Sequence, residues 1–230
     1  MPVALITGTS RGLGRALAEH LLAQGWAVHG WARSPHVWTH AQFHPTTVDV
    51  ADDLAVVAAV GQVIQTSGRI DLLVNNAGSA AMNALLLTPA ATAAALMRTN
   101  YLGTFHCLQA VGKVMVRQRA GRIVNLTTVA VPLALAGEAA YVASKAAVEA
   151  LTRVAATELA THGVQVTAAG FGPIDTALTR AVGADRLAVL NARIQRPAGT
   201  TLAEAVAFLA ANWEGAGWPS GAVRYLGQTP

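Results

Sequence analysis

The chain has 230 residues, 53% of them hydrophobic, which fits one α/β domain able to bury about three quarters of its unfolded surface. One cysteine, Cys107, excludes an intrachain disulfide and a thiolate metal cage, and no uncharged apolar stretch reaches the ~18 residues of a membrane span. The net charge of +4 is scattered, its tightest group being Lys113, Arg117, Arg119 and Arg122 near an expected helix C-terminus, so a solvated face is expected there and no nucleic-acid partner.

In chain order, an apolar run at 2–6 predicts a first strand, which leaves no space for a secretory leader and makes a cytoplasmic location the expectation. Thr7-Gly8-Thr9-Ser10-Arg11-Gly12-Leu13-Gly14 comes next, a glycine-rich turn opening a helix over 12–24. Such a turn cradles a dinucleotide phosphate. Gly8 takes the positive φ, Gly12 lets backbone approach the pyrophosphate, Gly14 lets the helix pack on the sheet, and the helix N-terminus offers free N–H groups. The spacing G-x-x-x-G-x-G departs from the commoner G-x-G-x-x-G, so its weight depends on the motifs downstream in the chain.

Strands at 27–31 and 46–49, a helix at 52–66 and a strand at 71–74 continue the alternation. His36, His40 and His44 recur every fourth residue, but Pro35 and Pro45 bracket them and no carboxylate or thiolate completes a set, so no metal is expected. A helix pair is predicted over 89–98 and 100–117, then a strand at 121–126, a helix at 141–161, a strand at 163–169, a helix at 201–212 and a strand at 222–226. Strands separated by helices throughout, with no linker or repeat, predict a doubly wound, Rossmann-like parallel sheet in a single domain spanning 1–230. The irregular stretch 174–200 lies beyond a strand's carboxyl end, where open α/β sheets bind ligands, and reads as a substrate lid or as a surface excursion. The five tryptophans are expected to pack, and Leu85-Leu86-Leu87 to be core or subunit interface.

Tyr141-Val142-Ala143-Ser144-Lys145 sets a phenol and an ammonium on one helix face, with Cβ atoms about 5–6 Å apart. A free phenol titrates near ~10, and an adjacent cation favours the phenolate. Thr128 stands at the end of the buried run that begins at Gly121, so its hydroxyl faces the crevice. Together with the first turn, Asn75-Asn76-Ala77-Gly78 after a strand, and Asn100, these residues resemble the short-chain dehydrogenase/reductase family over about residues 3–227.

The resemblance implies a nicotinamide oxidoreductase. Tyr141 would be general acid or base. Lys145 would hold the nicotinamide ribose and lower the phenol's pKa, Thr128 would steady the substrate oxygen where the family usually has serine, and Asn100 would hold a relay water. The turn residues Gly8, Ser10, Arg11, Gly12, Leu13 and Gly14 would bind the cofactor, with Asn76, Ala77 and Gly78 beside them and Asp49 and Val50 against the adenine. Gly172, Ile174 and Thr176 would hold the carboxamide, and Phe171, standing where the family carries proline, would add an apolar wall.

Ala32 occupies the position where the family's NAD-users place aspartate, with Arg33 and Ser34 directly after it, so NADP(H) is expected over NAD(H). The substrate would be a small carbonyl or alcohol compound, its pocket lined by apolar residues such as Ala80, Met82, Val131, Leu133 and Pro173. By the same resemblance the protein would form a homodimer or homotetramer. The competing expectation is a catalytically silent NADP-binding sensor or scaffold of the same fold.

Overall fold

In the computed structural model, which describes residues 1–174, 184–196, 199–214 and 217–227, seven parallel strands form one sheet. In chain order the elements are β1 (Val3–Thr7), α1 (Gly12–Ala23), β2 (Ala27–Ala32), β3 (Phe43–Thr47), α2 (Asp53–Ser67), β4 (Leu72–Asn75), α3 (Ala90–Leu96), α4 (Gly103–Gln118), β5 (Gly121–Thr128), a single turn α5 (Ala130–Leu133), α6 (Ala139–Leu159), β6 (Val164–Phe171), α7 (Ala184–Arg193), α8 (Leu202–Ala210) and β7 (Val223–Leu226). The strand order β3-β2-β1-β4-β5-β6-β7 reverses direction of growth between β1 and β4. At such a reversal the crossovers diverge to opposite faces and leave a crevice beyond the strand ends.

Alternation along β1 builds the core on both faces. Val3 and Leu5 join Val56, Val60, Val111 and Met115 beneath α2, α4 and α6, whereas Ala4 and Ile6 join Leu17, Leu21 and Leu209 beneath α1 and α8. Cys107 is a buried member of the first set, its thiol pushed up to about 12 by desolvation. Trp31 and Trp218 are buried packing residues, and Trp26, Trp38 and Trp213 are half-buried against the second set.

Most element ends differ from expectation by a residue or two, and larger departures occur at β3, the α3/α4 pair and Leu85–Leu87. β3 begins at Phe43 rather than near 46, because Val28 to Ala32 pair in register with Phe43 to Thr47; Pro45 is tolerated there because β3 is an edge strand. Asp49 and Val50 therefore lie beyond the strand's carboxyl end. The expected helix pair is instead continuous, α3 and α4 being joined by a π-helical turn, Met97–Leu102, that contains Asn100. Leu85–Leu87 form a short 3₁₀ turn and are exposed, Leu86 at 95%, so they are not core. The three spaced histidines also diverge: His29 stacks on His44, His36 bonds to Thr9, and His40 Nδ1 accepts from the Gln42 N–H.

Candidate active site

A cavity of about 860 Å³ opens at the strand carboxyl ends, within the range usual for small-molecule sites. Its floor begins at the first turn. Gly8 has φ +76°, and a Cβ on Gly14 would run into the Gly8 carbonyl oxygen and the Asn76 amide. Asn76 Nδ2 donates to the carbonyls of Thr7 and Gly8 at 2.8 and 3.2 Å, and the Thr7 hydroxyl accepts from the N–H groups of Asn76 and Ala77 at 3.1 and 2.9 Å. Thus Asn76 orders the cleft from behind the turn, and Thr7, the first residue of the glycine-rich segment, is its partner, a role that sequence reasoning missed.

Ser10, Arg11, Gly12 and Leu13 line this end of the cavity with Ala32, Arg33 and Ser34 from the end of β2. Arg11 and Arg33 are exposed and flank it, while Ala32 is buried and carries no charge. Asp49, Val50, Ala77 and Gly78 complete the wall. Asp49 Oδ1 accepts from the Ala51 N–H at 3.0 Å, and Val50 is buried against Gly103. An anionic dinucleotide fits these features: a glycine turn opening a helix N-terminus, two guanidinium groups at one corner, and no carboxylate at the end of β2.

Thr128, Tyr141 and Lys145 lie further along. Thr128 is the last residue of β5; its hydroxyl donates to the Phe171 carbonyl at 3.3 Å and accepts from the Ala130 N–H at 3.2 Å, and it lines the cavity with the Tyr141 phenol. Tyr141 and Lys145 sit in the first two turns of α6, and both line the cavity. Lys145 is buried and its Nζ donates to the Leu126 carbonyl at 2.9 Å.

Burial pushes Tyr141 up to about 12, the Thr128 hydroxyl pulls it down, and the charge on Glu138 raises it again. Burial also lowers Lys145 to about 8, since a low-dielectric site disfavours both charged forms.

Asn100 is behind the wall and fully buried. Its Oδ1 accepts from the Ser79 N–H at 2.8 Å, and its Nδ2 donates to the Ser79 carbonyl and to Ser144 Oγ, each at 2.9 Å. Its own carbonyl accepts from the Thr104 hydroxyl at 2.8 Å. These bonds make Asn100 a brace between the loop after β4 and α6. A Cβ on Gly78 would stand 3.2 Å from Asn100 Oδ1 and 3.5 Å from Lys145 Nζ, so a larger residue there would crowd Asn100.

Phe171, the last residue of β6, lines the cavity and meets Phe208 edge-on at 5.6 Å, so it forms the apolar wall expected of it. Gly172 and Ile174 line the same end, and Ile174 pairs with Thr200; Thr176 lies outside the described residues. Ala80, Met82 and Pro173 are wall residues, but Val131 and Leu133 are not. The α5 turn directs Leu133 into a cluster with Val129 and Ile194, and Val129, Ala130, Leu135 and Ala136 face the cavity instead. Sequence reasoning also missed Glu138, one turn ahead of Tyr141, and Leu187, Leu190 and Arg193 on α7, whose place at the cavity only the chain's return brings about.

Comparison with known proteins agrees with this geometry. Residues 2–187 match the family model described as short chain dehydrogenase. The chain is 34% identical over 221 residues to the 3-oxoacyl-[acyl-carrier-protein] reductase FabG of Salmonella typhimurium, covering 91% of this chain and 90% of that protein. It is 34% identical over 222 residues to the FabG of Staphylococcus epidermidis, covering 91% of each. A solved structure described as ElxO with NADP bound superposes with a TM-score of 0.86 at 26% identity, covering 97% of this chain and 96% of that one. Among the described residues no helix is long and apolar enough to cross a membrane. The glycine turn, the Tyr141/Lys145 helix and the seven-stranded sheet are thus those of a nicotinamide-dependent oxidoreductase, and the chain belongs to the short-chain dehydrogenase/reductase family.

Proposed function

We propose that this protein transfers hydride between NADP(H) and the carbonyl or alcohol carbon of a small, largely apolar substrate, with Tyr141 as general acid or base. The observation that carries the proposal is that one cavity joins the cationic Arg11/Arg33 corner to the Thr128 and Tyr141 hydroxyls. Arg33, Ser34 and Arg11 would hold the 2′-phosphate, the glycine turn the pyrophosphate, Lys145 the ribose hydroxyls, and Gly172 with Ile174 the carboxamide. Thr176 remains a proposed partner of the same group.

When bound, a reduced nicotinamide would supply the hydride taken up by the carbonyl carbon in forming the alcohol. Tyr141 Oη donates the accompanying proton to the carbonyl oxygen. An alkoxide is far more basic than a phenolate, so even a phenol at about 12 gives up its proton downhill. Thr128, on the same wall as the phenol, steadies the same oxygen. Phe171, Leu135 and Leu190 exclude water from the reacting carbon. The segment 174–200, of which α7 contributes wall residues, is proposed as the substrate cover, and the exposed Leu85–Leu87 turn as part of a homodimer or homotetramer contact.

Loss of NADPH absorbance with a panel of ketones, aldehydes, quinones and a 3-oxoacyl thioester tests the proposal. Tyr141→Phe is expected to lower kcat by about 100- to 10,000-fold while NADPH binding persists. Arg33→Ala is expected to weaken NADPH at least about tenfold and leave NADH unchanged, since a charged hydrogen-bonded pair contributes about 1.5–3 kcal/mol. Binding without turnover across the panel would assign the chain to the silent sensor class.

A further inference from the structure

The loop that carries Arg33 and Ser34 is tied at both ends to one residue of the glycine-rich turn. Before it, the Trp31 carbonyl on β2 accepts from the N–H groups of Gly8 and Thr9 at 2.7 and 3.2 Å and from the Thr9 hydroxyl at 3.4 Å. After it, His36 Nε2 is hydrogen-bonded to the same hydroxyl at 2.8 Å. Thr9 is fully buried, and Arg11 follows it closely in the chain. We propose, resting on the NADP(H) reading above, that His36 is a positioning residue for cofactor choice: its bond to Thr9 holds the Arg33 segment at a fixed separation from the Arg11 segment, so that both guanidinium groups meet one adenosine 2′-phosphate.

The His36 ring is packed as well as bonded. It meets Phe43 edge-on at 5.2 Å and Trp38 edge-on at 6.4 Å, Trp38 stacks on Phe43 at 3.8 Å, and the Arg15 guanidinium lies over Trp38 at 5.7 Å. Pro35, whose ring fixes φ, stiffens the step between Ser34 and His36. Burial lowers the pKa of His36 from its ordinary value, so the imidazole is neutral near pH 7 and adds no charge of its own to the two arginines. What it adds is order. A guanidinium already held where a phosphate binds loses less conformational freedom on binding, and affinity rises accordingly. A 2′-hydroxyl carries no charge and draws little from either arginine, so the same order does little for NADH. His36 is not itself a wall residue of the cavity, whereas Arg11, Arg33 and Ser34 are, so it acts on discrimination through them.

Fluorescence titration of the protein with NADPH and with NADH, no substrate being present, separates the outcomes. His36→Phe keeps a ring for the Phe43 and Trp38 contacts and removes the bond; His36→Gln carries a side-chain amide at the same reach as Nε2 and removes the ring. In His36→Phe the dissociation constant for NADPH is expected to rise about three- to tenfold, the effect of one hydrogen bond, while that for NADH stays within about twofold. His36→Gln is expected to keep both constants within about twofold of those of the unsubstituted protein. Added to Arg33→Ala, His36→Phe is expected to weaken NADPH no further, because the two residues act on one contact. Melting temperatures without cofactor report that each variant folds. Equal weakening of both cofactors, an unchanged NADPH constant in His36→Phe, a loss in His36→Gln as large as in His36→Phe, or an additive effect with Arg33→Ala would overturn the positioning role and leave the NADP(H) reading in place. An unsubstituted protein that binds NADH as tightly as NADPH would sink both.

Discussion

Tyr141 and Lys145 are both moved by burial toward their neutral forms, the phenol up to about 12 and the ammonium down to about 8. For Lys145 the sign is that of a cation disfavoured by desolvation: the charge is held below about pH 8 and lost as pH rises through that value. If that ammonium holds the cofactor ribose, the dissociation constant for NADPH rises above about pH 8, and Lys145→Gln flattens the profile. Fluorescence titration of NADPH across this range checks it. Alcohol oxidation, which needs the phenolate, increases with pH toward 12, and the Glu138 charge delays that increase. The identity of these two residues and their spacing were legible in the sequence, because i and i+4 on a helix share a face. Their protonation energetics were not, since desolvation depends on what the rest of the fold packs over them.

At the scale of elements, α6 is fixed by polar bonds that no local pattern announces. Asn125 accepts from Asn75 Nδ2 at 2.8 Å and donates to the Thr152 hydroxyl at 2.9 Å, tying β4 and β5 to α6. Asn100 does the same from the π turn between α3 and α4, through Ser144. Such a turn inserts an extra residue into the helical ladder and turns a side chain out of phase with its neighbours, a frequent device at functional sites. Replacement of Asn100 by Ala leaves the Ser79 N–H and carbonyl without these partners and is expected to cost about 2–3 kcal/mol in denaturant unfolding. It should also lower kcat more than it weakens NADPH, because the helix bearing Tyr141 loses its brace. From the sequence, 89–98 and 100–117 read as two helices; the π turn that joins them needs the packing of α6 to become visible.

Across the whole molecule, β7 returns to close the sheet beside β6 and carries Tyr225 over Gly170, a position where any Cβ would strike the phenol ring. Tyr225 Oη and the Thr127 hydroxyl both donate to the buried carboxylate of Glu149 at 2.7 Å, with Arg153 3.5 Å away, so the C-terminal strand is latched to α6 one turn beyond Lys145. Tyr225→Phe leaves that carboxylate one donor short and is expected to lower stability by about 1–3 kcal/mol with NADPH affinity unchanged, read by chemical denaturation and by titration. The alternation of apolar runs, the glycine turn and the Tyr141/Lys145 spacing determined the parallel sheet and the location of the chemistry, because strand and helix periods and turn geometry are local properties. The edge register of β3, the bracing task of Asn100, the presence of Glu138 and α7 at the cavity and the shifted ionisation of Tyr141 were decided by tertiary structure, because each arises from groups distant in sequence that only packing brings within reach of one another.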